Sequence, residues 1–145
     1  MADAPHILIL EARFYEDIAD ELARGAMAAL DRAGASHERV AVPGALELPA
    51  ALAMAAASAA HYDGYVLLGC VIRGETSHYD IVANESAAAI MRLVTEQRLA
   101  VGYGILTVEN DDQAWERAGI DRHNKGAAAA EAALAMVAVR ARLKG

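Results

Sequence analysis

The sequence predicts an α/β domain in which a four-stranded parallel sheet lies between two layers of helices, and three observations carry that prediction. Apolar runs of strand length recur at residues 6–11, 65–72 and 99–108, with a shorter one at 38–42. The run at 65–72 is continuous, as expected when a strand is covered on both faces. Segments with apolar residues at helical spacing separate the runs, so strand and helix alternate along the chain. Finally, 145 residues suit one domain and are enough for a substantial core.

The first strand, 6–11, is closed by Ala12-Arg13-Phe14-Tyr15. Phe14 is the only phenylalanine and falls just past the strand's C-terminal end, the edge where open α/β sheets bind ligands. A loop aromatic covering the core rim is its plainer role. A helix follows over 16–33, with Ile18, Leu22, Ala26, Ala29 and Leu30 on one face and Gly34 as its stop. Pro43-Gly44 ends the second strand, and Ala45-Leu46-Glu47-Leu48-Pro49 bridges to an alanine-dense helix reaching about residue 60. Alanine's helix propensity accounts for that helix, and a solvated carboxylate is the plainer role of Glu47.

After the turn at 61–64 comes the central strand, 65–72, ended by Arg73-Gly74-Glu75. Gly74 can take backbone angles that other residues resist, and Thr76 or Ser77 offers a hydroxyl to cap the next helix. That helix begins near Ser77, carries Val82, Ser86, Ala89, Ile90, Leu93 and Val94 at helical spacing, and ends around Arg98. The fourth strand, 99–108, leads into a polar loop at 109–113 and a short helix at 114–118, stopped by Gly119. A turn at 120–126 opens the last helix, 127–143, with Ala130, Leu134 and Val137 on its apolar face. The order β-α-β-α-β-α-β-α-α, with right-handed crossovers, describes a flavodoxin-like three-layer sandwich, one domain spanning 1–145.

Composition excludes several classes. Alanine inflates the 56% hydrophobic fraction, and no uninterrupted apolar run reaches membrane-spanning length. No signal peptide is visible, and a single cysteine suits a reducing compartment, which together predict a cytoplasmic protein. Cys70 lies in the central strand, where a core thiol is expected rather than a nucleophile. A net charge of −7 with dispersed cations argues against nucleic acid but allows a small anion held locally. Walker-type spacing fails because Glu75 stands where lysine belongs, and Gly102-Tyr-Gly104 lacks the third glycine of a dinucleotide loop. The five histidines lack metal-ligand spacing, so no metal is predicted. A phosphoacceptor receiver domain shares the topology, but the first and third strands end without the aspartates it needs.

What remains is a strand-to-helix junction at 72–78. Free N–H groups and the helix dipole favour an anion there. His78 stands beside it, and histidine is the common side chain suited to proton exchange near neutral pH. An ordinary turn with a surface histidine is the bland alternative. With Phe14 and Glu47 on the same edge, the set suits a planar heterocycle and a small phosphate ester.

Six segments then recur in order: Ala12-Arg-Phe14, Val42-Pro-Gly-Ala-Leu-Glu-Leu-Pro49, Gly69-Cys-Val-Ile-Arg-Gly-Glu-Thr-Ser-His-Tyr-Asp80, Gly104-Ile-Leu-Thr-Val-Glu-Asn110, Glu116-Arg-Ala-Gly119 and Asn124-Lys-Gly126. Over essentially its whole length the chain resembles the 6,7-dimethyl-8-ribityllumazine synthases. The resemblance implies condensation of 5-amino-6-(D-ribitylamino)uracil with 3,4-dihydroxy-2-butanone 4-phosphate, the penultimate step of riboflavin biosynthesis, without metal or cofactor. It implies that Phe14 stacks on the pyrimidine, that Ala45, Leu46 and Glu47 line the ribityl and ring site, and that Val71 and Ile72 contact the heterocycle through backbone groups. Gly74, Glu75, Thr76 and Ser77 match the phosphate turn, and His78 the proton-transfer residue. Arg117 matches a phosphate-binding arginine and Lys125 a lysine near the substrate.

In that family Tyr103, Arg117 and Lys125 come from a neighbouring subunit of a ring of five, and some members build shells of twelve rings. Here the N-terminal arm is short, and the turn at 119–124 departs from the Gly-Thr-Lys-Ala-Gly-Asn form frequent in shell-forming members. Both departures favour a free homopentamer. Tyr103 replaces a frequent phenylalanine. The alternatives are a non-catalytic flavin- or lumazine-binding protein and a structural shell or carrier.

Overall fold

The computed structural model describes residues 4–144. In chain order these form β1 (His6–Ala12), α1 (Glu16–Arg32), β2 (Ser36–Val42), a 3-10 turn (Ala45–Glu47), α2 (Leu48–Ala57), β3 (Gly64–Ile72), α3 (His78–Gln97), β4 (Val101–Val108), α4 (Asp111–Ala118) and α5 (Lys125–Lys144). The four strands make one parallel sheet in the order β2-β1-β3-β4. This is the predicted single-domain α/β fold, a three-layer sandwich of flavodoxin-like form.

Alternation along each strand sorts side chains into two cores. Ile7, Ile9, Val66, Leu68 and Leu106 face α1 and α5, where Ile18, Leu22, Ala26, Leu30 and Ala130 meet them. Leu8, Leu10, Leu67, Val71 and Ile105 face α2 and α3, against Leu48, Leu52 and Ile90. The central β3 is buried over its first eight residues, and each large aliphatic withdrawn from water contributes about 1.5–3 kcal/mol. Edge strand β2 is mostly exposed and leans on its ladder with β1 instead.

Glycines set how closely α5 can approach. A Cβ on Gly102 would lie 1.7 Å from the Ala129 carbonyl oxygen, and one on Gly126 would lie 2.1 Å from that of Leu22. Both distances are impossible for real atoms, so β4 and α1 each touch α5 backbone to backbone.

The helix faces match expectation, and several boundaries move for local reasons. α2 stops at Ala57, three residues short of the alanine run's end, because Ser58 Oγ donates to the Ala55 carbonyl at 2.8 Å. A serine that bonds backward in this way competes with helix continuation. α4 starts at Asp111, earlier than its apolar residues suggest, because Asn110 Oδ1 accepts from the Gln113 N–H at 2.9 Å. β4 starts at Val101 because Arg98 turns left-handed, with φ 56°, to end α3. β2 begins at Ser36, two residues early.

Candidate active site

The C-terminal ends of β1 and β3 lie side by side where the strand order reverses, and open α/β folds place ligands at that crevice. A cleft of about 460 Å³ opens there, within the usual size range for small-molecule sites. Phe14, Ala45, Leu46, Glu47, Val71, Ile72, Gly74, Thr76 and His78 line it, all named from the sequence. Tyr15, Pro43, Gly44, Cys70, Tyr79 and Val82 complete the wall.

Each side chain is there for a local reason. Phe14 follows β1 directly and is 73% exposed, its one aromatic contact an edge-on approach to Tyr15 at 4.9 Å. It therefore does not cover the core. Pro43 and Gly44 break β2, and the 3-10 turn that follows presents Leu46 and Glu47 outward while Ala45 anchors it in the core. Val71 and Ile72 are the last residues of β3.

The turn between β3 and α3 holds one refinement. Thr76, not Ser77, supplies the hydroxyl at the helix start, with Oγ1 accepting from the His78 N–H at 3.3 Å; Ser77 makes no side-chain cap. Nor does Gly74 use a left-handed conformation: among the described glycines only Gly34 has positive φ, at 74°. A Cβ on Gly74 would meet nothing within 4 Å, so the absence of a side chain there keeps cleft space open. Glu75 and Ser77 flank the same turn, exposed, without lining the cleft.

Arg73 braces this turn, a role the sequence did not signal. Its Nε donates to Glu109 at 2.9 and 3.1 Å, its Nη1 lies 3.5 Å from Asp80, and its guanidinium sits 4.2 Å from the Tyr79 ring centroid. The end of β3 is thereby tied to the end of β4 and to the first turn of α3. His78 opens α3 with its ring exposed, and among the described residues the imidazole has no hydrogen-bond partner. Cys70, by contrast, is withdrawn: burial, helped by the charge of Asp111, pushes its thiol up to about 12. A thiol so rarely ionised is a poor nucleophile.

Three predicted residues lie away from the cleft. Tyr103 is 40% exposed on edge strand β4, on the face it shares with Ile105. Arg117, near the end of α4, donates through Nη1 to the Gln113 carbonyl at 3.1 Å. Lys125 opens α5 and is exposed. Neither Arg117 nor Lys125 has a carboxylate partner among the described residues. Within Asn124-Lys125-Gly126 the neighbours have structural tasks: Asn124 adopts φ 48° and Gly126 admits Leu22. Lys125 makes no side-chain hydrogen bond or ion pair among the described residues.

Fold and site together define a small-molecule enzyme of the flavodoxin-like α/β class, with its cleft at the carboxyl edge of a parallel sheet. Comparison with known proteins narrows the class. The family model for 6,7-dimethyl-8-ribityllumazine synthase matches residues 4–141. A 6,7-dimethyl-8-ribityllumazine synthase of Bartonella tribocorum is 60% identical over 142 residues, covering 98% of this chain and 94% of that protein. The relative named 6,7-dimethyl-8-ribityllumazine synthase 1 in Rhizobium meliloti is also 60% identical, covering 95% and 93%. One from Agrobacterium fabrum is 54% identical, covering 97% and 98%. The chain belongs to the 6,7-dimethyl-8-ribityllumazine synthase family.

Proposed function

We propose that the protein condenses 5-amino-6-(D-ribitylamino)uracil with 3,4-dihydroxy-2-butanone 4-phosphate, releasing 6,7-dimethyl-8-ribityllumazine, phosphate and water. The observation that carries this reading is the convergence of Phe14, the 3-10 turn and the start of α3 on one cleft. Phe14 is the stacking face for the pyrimidine, offset or edge-on geometries being the favoured ones for flat rings. Leu46 and Glu47 take the ribityl chain, Ala45 shapes the floor, and Val71 and Ile72 address the ring through their backbone. Gly74, Glu75, Thr76 and Ser77 form the phosphate turn at the helix N-terminus.

The amine of the uracil attacks the ketone carbonyl, and water leaves as an imine forms. Loss of phosphate follows, and closure of the ring by the ribitylamino nitrogen on the remaining carbonyl expels a second water. Each step moves a proton between carbon, nitrogen or oxygen, and His78 carries those protons. The departing phosphate is stabilised by turn N–H groups and by a guanidinium, the role assigned to Arg117, with Lys125 adding positive charge. Holding two reactants together supplies much of the remaining acceleration.

The functional unit is a homopentamer in which Tyr103, Arg117 and Lys125 of one subunit complete the cleft of the next, and it works in the cytoplasm. Support comes from their position outside the chain's own cleft and from the two cations' lack of ion pairs among the described residues. Among the described residues no helix is long and apolar enough to cross a membrane. The test is lumazine absorbance on mixing the purified protein with both substrates. A rate well above the spontaneous reaction is expected. Tight ligand binding without acceleration would leave a non-catalytic lumazine-binding protein as the reading.

A further inference from the structure

Among the described residues Glu11 is the only charged side chain that is buried, at 2% exposure. A carboxylate withdrawn from water persists only with charged or hydrogen-bonding partners, and Glu11 has two guanidinium groups. Arg13 Nη1 donates to Oε1 at 2.8 Å, while Arg39 donates from Nε to Oε2 at 2.5 Å and from Nη2 to Oε1 at 3.0 Å. The other limb of Arg13 donates from Nη2 to Asp20 Oδ1 at 2.5 Å. One clamp thus joins β2, the end of β1 and the second turn of α1.

The clamp stands on the α1 side of the sheet, and none of its four residues lines the cleft. Glu11 follows Ile7 and Ile9 in the β1 alternation, toward α1, whereas Ala12 shares the α2 and α3 side with Leu8 and Leu10. Phe14 comes next but one and lines the cleft. Exposed at 73%, its ring is held by little besides the edge of Tyr15. Its aim must therefore come from the backbone on either side. Before it, the Arg13 N–H donates to the Val42 carbonyl at 3.0 Å, extending the β1–β2 ladder by one residue. After it, Tyr15 packs on the α1-side core. Arg13 carries both a ladder bond and the clamp.

We infer that the Glu11–Arg13–Arg39 clamp is a positioning device for Phe14, holding the β1–α1 turn so that the ring stands ready for the heterocyclic substrate. This rests on the assignment of Phe14 to the pyrimidine made above. Stacking on an exposed ring is favourable to the extent that the ring is already ordered, since freezing it on binding offsets the contact.

The test is steady-state kinetics with each substrate varied in turn, for wild type, Arg13→Gln, Arg13→Lys, Phe14→Ala and the Phe14→Ala/Arg13→Gln double variant. Arg13→Gln is expected to raise KM for the ribitylaminouracil roughly tenfold, with KM for the butanone phosphate held within about twofold. Arg13→Lys keeps the charge without the fork and recovers part of the loss. The double variant is no worse than Phe14→Ala alone, because Arg13 acts through that ring. Should Arg13→Gln fold poorly, Arg39→Gln leaves Arg13 on both carboxylates and gives a smaller rise of the same KM. If Phe14→Ala raises that KM while Arg13→Gln lowers Tm and leaves it unchanged, the clamp is structural and the inference is overturned alone. Multiplying effects in the double variant overturn it too. A silent Phe14→Ala overturns the Phe14 assignment, and the inference with it.

Discussion

At the scale of single residues, His78 is the group whose surroundings say most about its use. It opens α3 at the cleft rim, its N–H is capped by Thr76, and its ring has no hydrogen-bond partner among the described residues. A histidine held by its backbone but free at its ring can accept and return protons over several steps. His78→Ala is expected to lower kcat by about a hundredfold, leaving the share that comes from holding two reactants together. Single-turnover absorbance measures this, and total loss of turnover in a well-folded variant would contradict it. Phe14 and Glu47 were legible as residue types at a strand's end, although each had a plainer role open to it. Arg73 and Tyr79 were not legible, because a guanidinium between a carboxylate and a ring leaves no local pattern.

Between elements, one join links α1 to the turn that precedes Lys125. Glu21 Oε2 accepts from the Ile120 N–H at 2.9 Å, across 99 residues of sequence. That hydrogen bond first, and Arg24 second, hold the Glu21 carboxyl below its ordinary range. A carboxylate with a depressed folded-state pKa stabilises the native form above its unfolded pKa, and that contribution is lost as pH falls through the folded value. The window therefore begins at about pH 4.3, the ordinary glutamate value, and extends downward. Glu21→Gln keeps an acceptor but cannot titrate. Its Tm should fall less steeply with acid in that window than the wild type's, as differential scanning fluorimetry from pH 3 to 7 on a ~1-unit grid reads out. Parallel acid limbs would show that the bond contributes no pH-dependent stability.

For the molecule as a whole, the proposed site divides between one cleft and cations that stand on another part of the same chain's surface. Nine predicted residues gather in one cleft, while Tyr103, Arg117 and Lys125 lie outside it. The proposed pentamer resolves this, and mixing tests it. His78→Ala and Arg117→Ala subunits, each of low activity alone, should regain activity when unfolded and refolded together, because mixed rings contain some intact sites. Sedimentation velocity is expected to give a species about five times the 15.3 kDa chain mass. A monomer, or mixed rings with no recovery, would refute a site shared between subunits. A much larger particle would favour a shell.

Alternating strands and helices, the buried character of β3, the faces of α1 and α3, and the cleft residues Phe14, Ala45, Leu46, Glu47, Val71, Ile72, Gly74, Thr76 and His78 were determined by the sequence itself. These features follow from local periodicity and from the rule that ligands meet a parallel sheet at its carboxyl edge. The tertiary structure alone decided the rest. Strand order, the Glu11 clamp, the Arg73 brace and the bond from Glu21 to Ile120 join residues 2 to 99 positions apart. Asn124 and Gly126 could be read as motif letters, but only the contact of α5 with α1 showed why those letters are needed. Periodicity reports what a side chain faces, layer by layer. Which partner it meets there is set by how the layers close on one another.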